Sequence, residues 1–164
     1  MKFVKLFSLV LAICFTSTLF GQKNLPNVNV KDLSGKTINI QEFGKNGKIT
    51  VISFWATWCA PCKKELDTIA KTYKNWQKDY NVELVAVTID KARALPKVTD
   101  MVKDKGWDYI VLSDAKQELQ EALGFQTVPQ TFLIDAKGKI VYSHSGYEAG
   151  DEHELEKKIK ALKK

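Results

Sequence analysis

The sequence predicts an α/β fold in which a mixed central sheet, parallel in its middle, carries helices on both faces. Two observations carry this prediction. Apolar, β-branched runs at 49–54 and 82–89 are typical of buried strands, and segments with helical periodicity alternate with them. A strand pair within 131–143 and a closing helix at 151–162 complete the pattern. The 164 residues have room for one such domain.

An N-terminal β-hairpin is predicted ahead of the first core strand. In residues 27–40, NVNVKDLSGKTINI, alternating apolar residues flank a turn at 32–36. A second turn, Lys45-Asn46-Gly47-Lys48, then leads into the apolar strand at 49–54. The chain therefore reaches its core sheet only after the hairpin.

Apolar residues recur at helical spacing from Pro61 to Tyr80, which predicts one amphipathic helix with Pro61 in its first turn. A helix at 114–123 is expected to be capped by Ser113 or Asp114 and to end at Gly124. The other predicted elements are strands at 82–89, 109–112 and 131–134, a helix at 95–105, a turn at 135–138 with a hairpin partner at 139–143, and the helix at 151–162.

The first 21 residues have the pattern of a secretory signal peptide. Lys2 and Lys5 precede an apolar run at 6–13, and small and hydroxyl residues follow it. We predict cleavage near Gly21 or Gln22, which leaves 22–164 as the exported domain, in the periplasm or another extracytoplasmic compartment. The alternative is an uncleaved membrane anchor, but hydroxyl residues interrupt the apolar stretch, which is shorter than the ~20 residues of a spanning helix.

The formal net charge is +6, and the lysines are scattered along the chain rather than clustered. Scattered lysines are typical of a solvated surface, so we expect no nucleic-acid binding.

Three cysteines are present, and loss of the signal peptide with Cys14 leaves Cys59 and Cys62. Two cysteines cannot form the framework of a disulfide-stabilised scaffold. A C-x-x-C pair between a strand and a helix can instead close a small disulfide loop, and the helix N-terminus favours a thiolate. Cys59, which precedes the helix, is expected to be the more exposed, attacking sulfur, and Cys62 to be the resolving one.

The alternative for such a pair is half of a zinc site. Structural zinc usually takes four protein ligands. Only His144 and His153 could complete the set, and they lie far along the chain in a predicted hairpin and the last helix. We therefore expect neither a metal nor another cofactor.

The stretch FWATWCAPC, residues 54–62, resembles the active site of the thioredoxin superfamily. A second motif, Thr127-Val128-Pro129 before the strand at 131–134, supports the resemblance. The N-terminal hairpin and an inserted helix and strand between Val87 and Asp114 resemble the TlpA/ResA-like exported thiol-disulfide oxidoreductases. This resemblance extends from about residue 25 to the C-terminus and implies a thioredoxin-like fold.

The resemblance also implies roles for individual residues. Pro129 is expected to follow a cis peptide bond beside the cysteine pair, although cis X-Pro bonds are a small minority in general. Glu65 matches a glutamate that in ResA-like proteins lies near the site and is implicated in thiol titration and substrate binding. Its alternative is a solvated charge in the first helical turn. The predicted substrate-binding residues are Trp58, Pro61, Thr127, Val128 and Pro129, and the predicted catalytic residues are Cys59, Cys62 and Glu65.

Three further positions bear on how far the resemblance extends. Thioredoxin carries a buried aspartate where this chain has Ser53, and serine is not an ionisable base at neutral pH. The proton of Cys62 must then pass to water, to Glu65 or to another group. Gly146 matches a glycine that lets a substrate backbone approach, with an ordinary turn glycine as the alternative. Trp55 is expected to lie in the core.

The predicted function is that of an exported, monomeric thiol-disulfide oxidoreductase acting on disulfide-containing protein substrates. The uncharged pair Ala60-Pro61 resembles reducing members of the family, so we expect a protein-disulfide reductase supplied by a membrane thiol electron donor, with apocytochrome c as one candidate substrate class. A peroxiredoxin-like peroxidase is the first alternative, but Ile52 and Ala56 depart from the P-x-x-x-T-x-x-C pattern of peroxiredoxins. A non-catalytic metal-binding or peptide-binding module is the second.

Overall fold

The computed structural model describes residues 23–163. The predicted signal peptide lies outside the described residues. Among residues 23–163, no helix is both long and apolar enough to span a bilayer. The seven strands in this part of the chain are β1 (Asn29–Asp32), β2 (Thr37–Asn39), β3 (Ile49–Trp55), β4 (Val82–Thr88), β5 (Ile110–Ser113), β6 (Gln130–Ile134) and β7 (Ile140–Ser145).

The strands form one sheet in the order β2-β1-β5-β4-β3-β6-β7. The central β3-β4 and β4-β5 pairs are parallel. The β1-β2, β1-β5, β3-β6 and β6-β7 pairs are antiparallel. The prediction of a mixed α/β sheet with a parallel middle and an N-terminal hairpin is therefore confirmed.

Five helices accompany the described strands. They are α1 (Ala60–Ala70), α2 (Tyr73–Tyr80), α3 (Leu95–Lys105), α4 (Glu118–Leu123) and α5 (Asp151–Leu162). Short 3-10 turns lie at Ile40–Gly44 and Ala92–Ala94. Helix α5 contacts both α1 and α2. This packing brings the C-terminal helix next to the helix that begins at the cysteine pair.

The two central strands supply the core. Every residue of β3 and β4 is buried, as expected for parallel strands covered on both faces. Trp55 is fully buried, as predicted, and its ring meets that of Trp107 edge to face with the centroids 5.1 Å apart. Phe54 packs on Phe125 at 4.6 Å. This packing fixes the end of β3, from which the cysteine loop leaves.

The predicted single helix from residue 61 to residue 80 is wrong, because the chain breaks between α1 and α2. The N–H groups of Lys71 and Thr72 donate to carbonyls three residues back, and the Thr72 hydroxyl donates to the Ile69 carbonyl. This tight turn redirects the chain while Tyr73 and Trp76 stay buried. The apolar spacing continues across the turn, so periodicity alone could not reveal it.

The helix predicted at 114–123 begins later, at Glu118. Asp114 is the predicted cap, and its carboxylate accepts the N–H groups of Leu119 at 3.2 Å and Gln120 at 2.8 Å. The residues between form a turn in which the N–H of Gln117 donates to the Asp114 carbonyl at 2.8 Å. The capping acceptor was therefore predicted, but not the turn that separates it from the helix.

Candidate active site

The cysteine pair lies directly beyond the carboxyl end of β3. Cys59 is the N-cap of α1 and Cys62 lies in its first turn, and the two form a disulfide with 5.4 Å between their Cα atoms. Pro61 fits this turn because its missing N–H would have no helical partner. The N–H of Cys62 donates a hydrogen bond to the Cys59 sulfur at 3.3 Å. The helix N-terminus thus directs positive potential at Cys59.

The two sulfurs differ in exposure in the predicted direction. Cys59 retains 4% of its surface, whereas Cys62 is fully buried. Trp58, immediately before Cys59, is 66% exposed. The indole of Trp58 is therefore the large exposed apolar surface that adjoins Cys59 in the chain.

A buried carboxylate that sequence reasoning missed holds the loop before Cys59. Asp90 accepts the Thr57 N–H at 2.8 Å and the Thr57 hydroxyl at 2.9 Å, and it also accepts the Thr88 hydroxyl at 2.7 Å. Lys63 donates to the Thr57 carbonyl at 3.0 Å. Asp90 lies two residues beyond the end of β4, at the same sheet edge as the cysteines, and an acidic residue just after a buried parallel strand was the available signal.

The second predicted motif lies at that edge too. The Val128-Pro129 peptide bond is cis, as predicted. The register of β3 and β6 places Gln130 opposite Phe54, so the 127–129 segment lies beside the end of β3. Thr127 is exposed, Val128 is half-buried and Pro129 is buried.

Gly146 is tied to this segment. Its N–H donates to the Pro129 carbonyl at 2.9 Å, and its φ of +86° lies in the region that favours glycine. A Cβ atom at this position would meet no neighbour. The backbone conformation, rather than a close contact within the protein, therefore accounts for glycine here.

Glu65 is buried, so the alternative of a solvated charge is wrong. Its side chain is 4% exposed and accepts hydrogen bonds from the Thr131 hydroxyl at 2.7 Å and the Ser53 hydroxyl at 3.2 Å. Burial raises the pKa of Glu65 from 4.5 to about 7, and the two hydrogen bonds oppose that rise. A carboxyl with such a pKa can take up and release a proton near neutral pH.

The two hydroxyls that hold Glu65 come from neighbouring strands. Ser53 on β3 is directly opposite Thr131 on β6, which places both side chains on one face of the sheet. Helix α1 covers them with Glu65, one turn after Cys62. Sequence reasoning missed Thr131 because its contact depends on the β3-β6 register, which no local pattern encodes.

The two histidines each lie beside a carboxylate. His144 Nε2 is 3.0 Å from Asp151 Oδ2, and His153 Nε2 is 3.6 Å from Glu152 Oε1. Within residues 23–163, no group of three or more His, Cys, Asp or Glu side chains is arranged to hold a metal ion.

A family model and several relatives of known activity match this chain. The model of the AhpC/TSA family matches residues 22–143. The chain is 35% identical over 116 residues to the thiol-disulfide oxidoreductase ResA of Bacillus subtilis, covering 71% of this chain and 62% of that protein. It is 32% identical over 140 residues to ResA of Bacillus thuringiensis subsp. konkukian, covering 85% of this chain and 77% of that protein.

A solved structure agrees with these relatives. The solution structure of a thioredoxin-like protein from Porphyromonas gingivalis matches with a TM-score of 0.76 and 40% identity, covering 85% of this chain and 91% of that one. The chain spans less than two thirds of the Bacillus subtilis relative, 62% of its length. On these matches and this site, the chain belongs to the AhpC/TSA family of thioredoxin-like proteins and, within it, to the ResA-like thiol-disulfide oxidoreductases.

Proposed function

We propose that this protein is an exported thiol-disulfide oxidoreductase that reduces disulfides in extracytoplasmic proteins. The observation that carries the proposal is the Cys59-Cys62 disulfide at the N-terminus of α1, in a chain similar to ResA. The proposal includes cleavage of residues 1–21 as a signal peptide and a mature, monomeric domain at 22–164.

The reaction begins from the reduced protein. The Cys59 thiolate attacks one sulfur of the substrate disulfide, forms a mixed disulfide and expels the other substrate sulfur as a thiolate. Cys62 then loses its proton and attacks the Cys59 sulfur. The Cys59-Cys62 bond forms, the bond from Cys59 to the substrate breaks, and the second substrate thiolate leaves. Both substrate thiolates are protonated by solvent, and two electrons have passed from the protein to the substrate.

Substrate binding is assigned to the surface around Cys59. Trp58 offers a large exposed apolar surface, and the 127–129 segment lies at the same edge of the sheet. Pro61 lies between the cysteines and limits how the partner chain approaches. An extended substrate segment placed beside Val128 would bring its disulfide to Cys59 with backbone contacts that do not depend on sequence.

We assign Glu65 as the group that accepts the proton of Cys62. It follows Cys62 by one helical turn, is buried with it, and has a pKa of about 7. Ser53 cannot perform this role, since its hydroxyl does not ionise near neutral pH, but it donates a hydrogen bond to Glu65. The proton acceptor therefore comes from α1 rather than from the strand.

We assign the reductive direction because Ala60 and Pro61 add no positive charge that would stabilise the thiolate pair. An exported reductase needs a membrane thiol donor to regenerate its dithiol. Apocytochrome c, whose haem-binding cysteines must be reduced, is the specific substrate class that we propose. A deletion strain with normal c-type cytochromes would remove that substrate class and leave general disulfide reduction.

A trapping experiment tests the function. Cys62→Ala should hold its substrate as a mixed disulfide on Cys59, and mass spectrometry of the trapped species identifies the partner. Cys59→Ala is the matched control, because it should trap nothing and should not reduce insulin disulfides. Equal trapping by both variants would contradict the assignment of Cys59 as the attacking sulfur. An equilibrium with glutathione near −120 mV, roughly the value of a strong oxidant, would reverse the assigned direction.

The match to the AhpC/TSA family model favours one second candidate, a peroxidase. A peroxidatic cysteine at position 59 would need proline and threonine where this chain has Ile52 and Ala56, both fully buried. Neither side chain can donate a hydrogen bond to a peroxide. A Cys62→Ser protein that consumes hydrogen peroxide at an enzymatic rate would support the peroxidase, and one that does not would leave the oxidoreductase.

A further inference from the structure

The carboxyl of Glu65 reaches a small cavity that neither cysteine lines. The cavity has a volume of about 10 Å³. Its lining includes six residues with polar side chains, which are Glu65, Thr131, Tyr142, His144, Asp151 and Glu152. A water molecule needs ~10–15 Å³ on this measure and two to four polar partners. The cavity is therefore the size of one water, with enough polar neighbours to hold it.

His144 connects this cavity to solvent. The register of β6 and β7 places His144 directly opposite Thr131, so their side chains share one face of the sheet. Thr131 is the residue that donates to Glu65 at 2.7 Å. The His144 side chain is 35% exposed, whereas Glu65 is buried. The imidazole thus lies next to the cavity with part of its ring in water.

Asp151 holds the imidazole in place. Its Oδ2 atom lies 3.0 Å from His144 Nε2 and also accepts the Glu148 N–H at 2.7 Å. The ring of Tyr142 stacks on His144 with an interplanar angle of 4°. A carboxylate on one nitrogen fixes the orientation of a histidine ring. These contacts give His144 one defined position beside the cavity.

We propose that His144, oriented by Asp151, is a proton relay that carries the proton of Glu65 between the cavity and solvent while the cysteine pair changes its oxidation state. This inference rests on the proposed function, in which Glu65 takes the proton of Cys62. The S–H bond of Cys62 breaks and an O–H bond forms on Glu65. That proton then passes through one water to the neutral imidazole, which releases a proton to solvent. No electrons move in the relay steps.

The charges around Glu65 suit this role. Protonated His144 favours the Glu65 carboxylate, and the Asp151 carboxylate opposes it. A proton on the imidazole therefore helps the carboxyl to remain ionised, and its release to solvent prepares the imidazole for the next proton. The other titratable groups near Glu65 are Cys62 on α1, Tyr109 before β5, Tyr142 on β7, Tyr147 before α5 and Glu152 on α5.

The test uses His144→Ala in the full mature domain and compares it with His153→Ala. His153 is a matched control because it is 78% exposed, also lies beside a carboxylate and is not part of the cavity wall. Reduced protein is mixed with excess model disulfide between pH 6 and pH 8, and the change in total tryptophan fluorescence, to which Trp58 beside Cys59 contributes, reports closure of the Cys59-Cys62 bond. A His144→Gln variant, which fills more of the space, carries the same expectations if His144→Ala folds poorly.

We expect His144→Ala to close its disulfide about tenfold more slowly than His153→Ala at pH 7, since general acid-base assistance is worth ~10²–10⁴-fold and water replaces part of it. Added imidazole should restore the rate in proportion to its concentration. In the oxidised protein, the Glu65 carboxyl should titrate at higher pH in His144→Ala, by carbon NMR, because the positive charge is lost.

Three results would count against the relay. Identical pH profiles for the two variants would overturn it, and so would a loss of rate that imidazole does not restore. An unchanged pKa of Glu65 in His144→Ala would overturn the electrostatic coupling between His144 and Glu65. Failure of the relay alone leaves the proposed function intact, because the wild-type protein would still react with disulfides. A wild-type protein that does not react with disulfides at all would overturn the proposed function and the relay with it.

Discussion

Replacing Glu65 with glutamine should remove a large, specific part of the pH dependence of stability in the oxidised protein. Glutamine has nearly the same shape but no charge. The folded-state pKa of Glu65 is about 7, against 4.5 for the ordinary group. A pKa difference of one unit corresponds to about 1.4 kcal/mol, so the shift of Glu65 amounts to about 3 kcal/mol.

The sign follows from proton binding. The folded protein binds the Glu65 proton more tightly than the unfolded chain does, since its folded-state pKa is the higher one. The resulting stabilisation is complete below the unfolded-state pKa and is lost as the pH rises through about 7. Glutamine cannot lose a proton. The free energy of unfolding of Glu65→Gln should therefore rise relative to that of the wild type by about 3 kcal/mol between pH 4 and pH 8.5.

Urea denaturation of both oxidised proteins at several pH values measures this difference. All other titrating groups are common to the two proteins, so the difference between the curves isolates Glu65. Glu121→Gln is the matched control, because it makes the same change at an exposed position on α4 and should follow the wild type. At low pH, Glu65→Gln should be less stable by about 1 kcal/mol, because its amide carries two N–H donors where the protonated carboxyl carries one O–H. Parallel curves for Glu65→Gln and the wild type would refute the reasoning.

Three further substitutions test individual contacts. Asp90→Asn should lower the free energy of unfolding by about 2 kcal/mol, because an amide nitrogen would face N–H and O–H groups of Thr57 that now donate to the carboxylate. An unchanged urea midpoint would contradict the role of Asp90 in holding the loop before Cys59. Thr131→Val should raise the pKa of Glu65, because the substitution removes a hydrogen bond that lowers that pKa. Carbon NMR measures the Glu65 pKa, and a lower value in the variant would contradict the prediction. Gly146→Ala should lower the free energy of unfolding by about 1 kcal/mol, because the φ of Gly146 is +86° and a Cβ there meets no neighbour. Thermal unfolding measures this loss, and a loss of several kcal/mol would mean that the backbone had moved.

The parts of the fold that the sequence specifies locally were predicted well. The helix at 95–105 ends at Gly106, whose left-handed conformation stops it, and both bounds agree with the structure. The strands predicted at 49–54 and 82–89 agree within one residue with β3 and β4, and their predominantly apolar, β-branched composition is typical of a sheet buried on both faces. The turn between α1 and α2 was missed, because tertiary packing and not composition decides where those two helices part.

In the candidate site, too, the residues marked by a local motif were predicted, and those that depend on long-range contacts were not. The Cys59-Cys62 spacing and the Thr127-Val128-Pro129 motif are local, so the sequence reveals them directly. The burial of Glu65 depends on Ser53 and Thr131 being opposite each other in β3 and β6, which are 78 residues apart at those positions in the printed sequence. Long-range register of this kind leaves no mark in either strand alone.

This site differs from that of thioredoxin in the element that carries the buried acid. Thioredoxin resembles this protein but carries its acid on the strand, at the position of Ser53, whereas here α1 supplies the carboxyl and the strand supplies only a hydroxyl donor. Glu65 and Cys62 lie one turn apart on α1, so the separation of their backbones does not depend on how the strands pair. The Glu65 carboxyl is also turned toward β7 and α5, where His144 and Asp151 lie. An acid at either position would lie on the same face of the sheet, since Ser53 and Glu65 are hydrogen-bonded there. Moving the acid from strand to helix therefore changes which elements its carboxyl contacts, and here the cavity that it lines also includes His144 on β7.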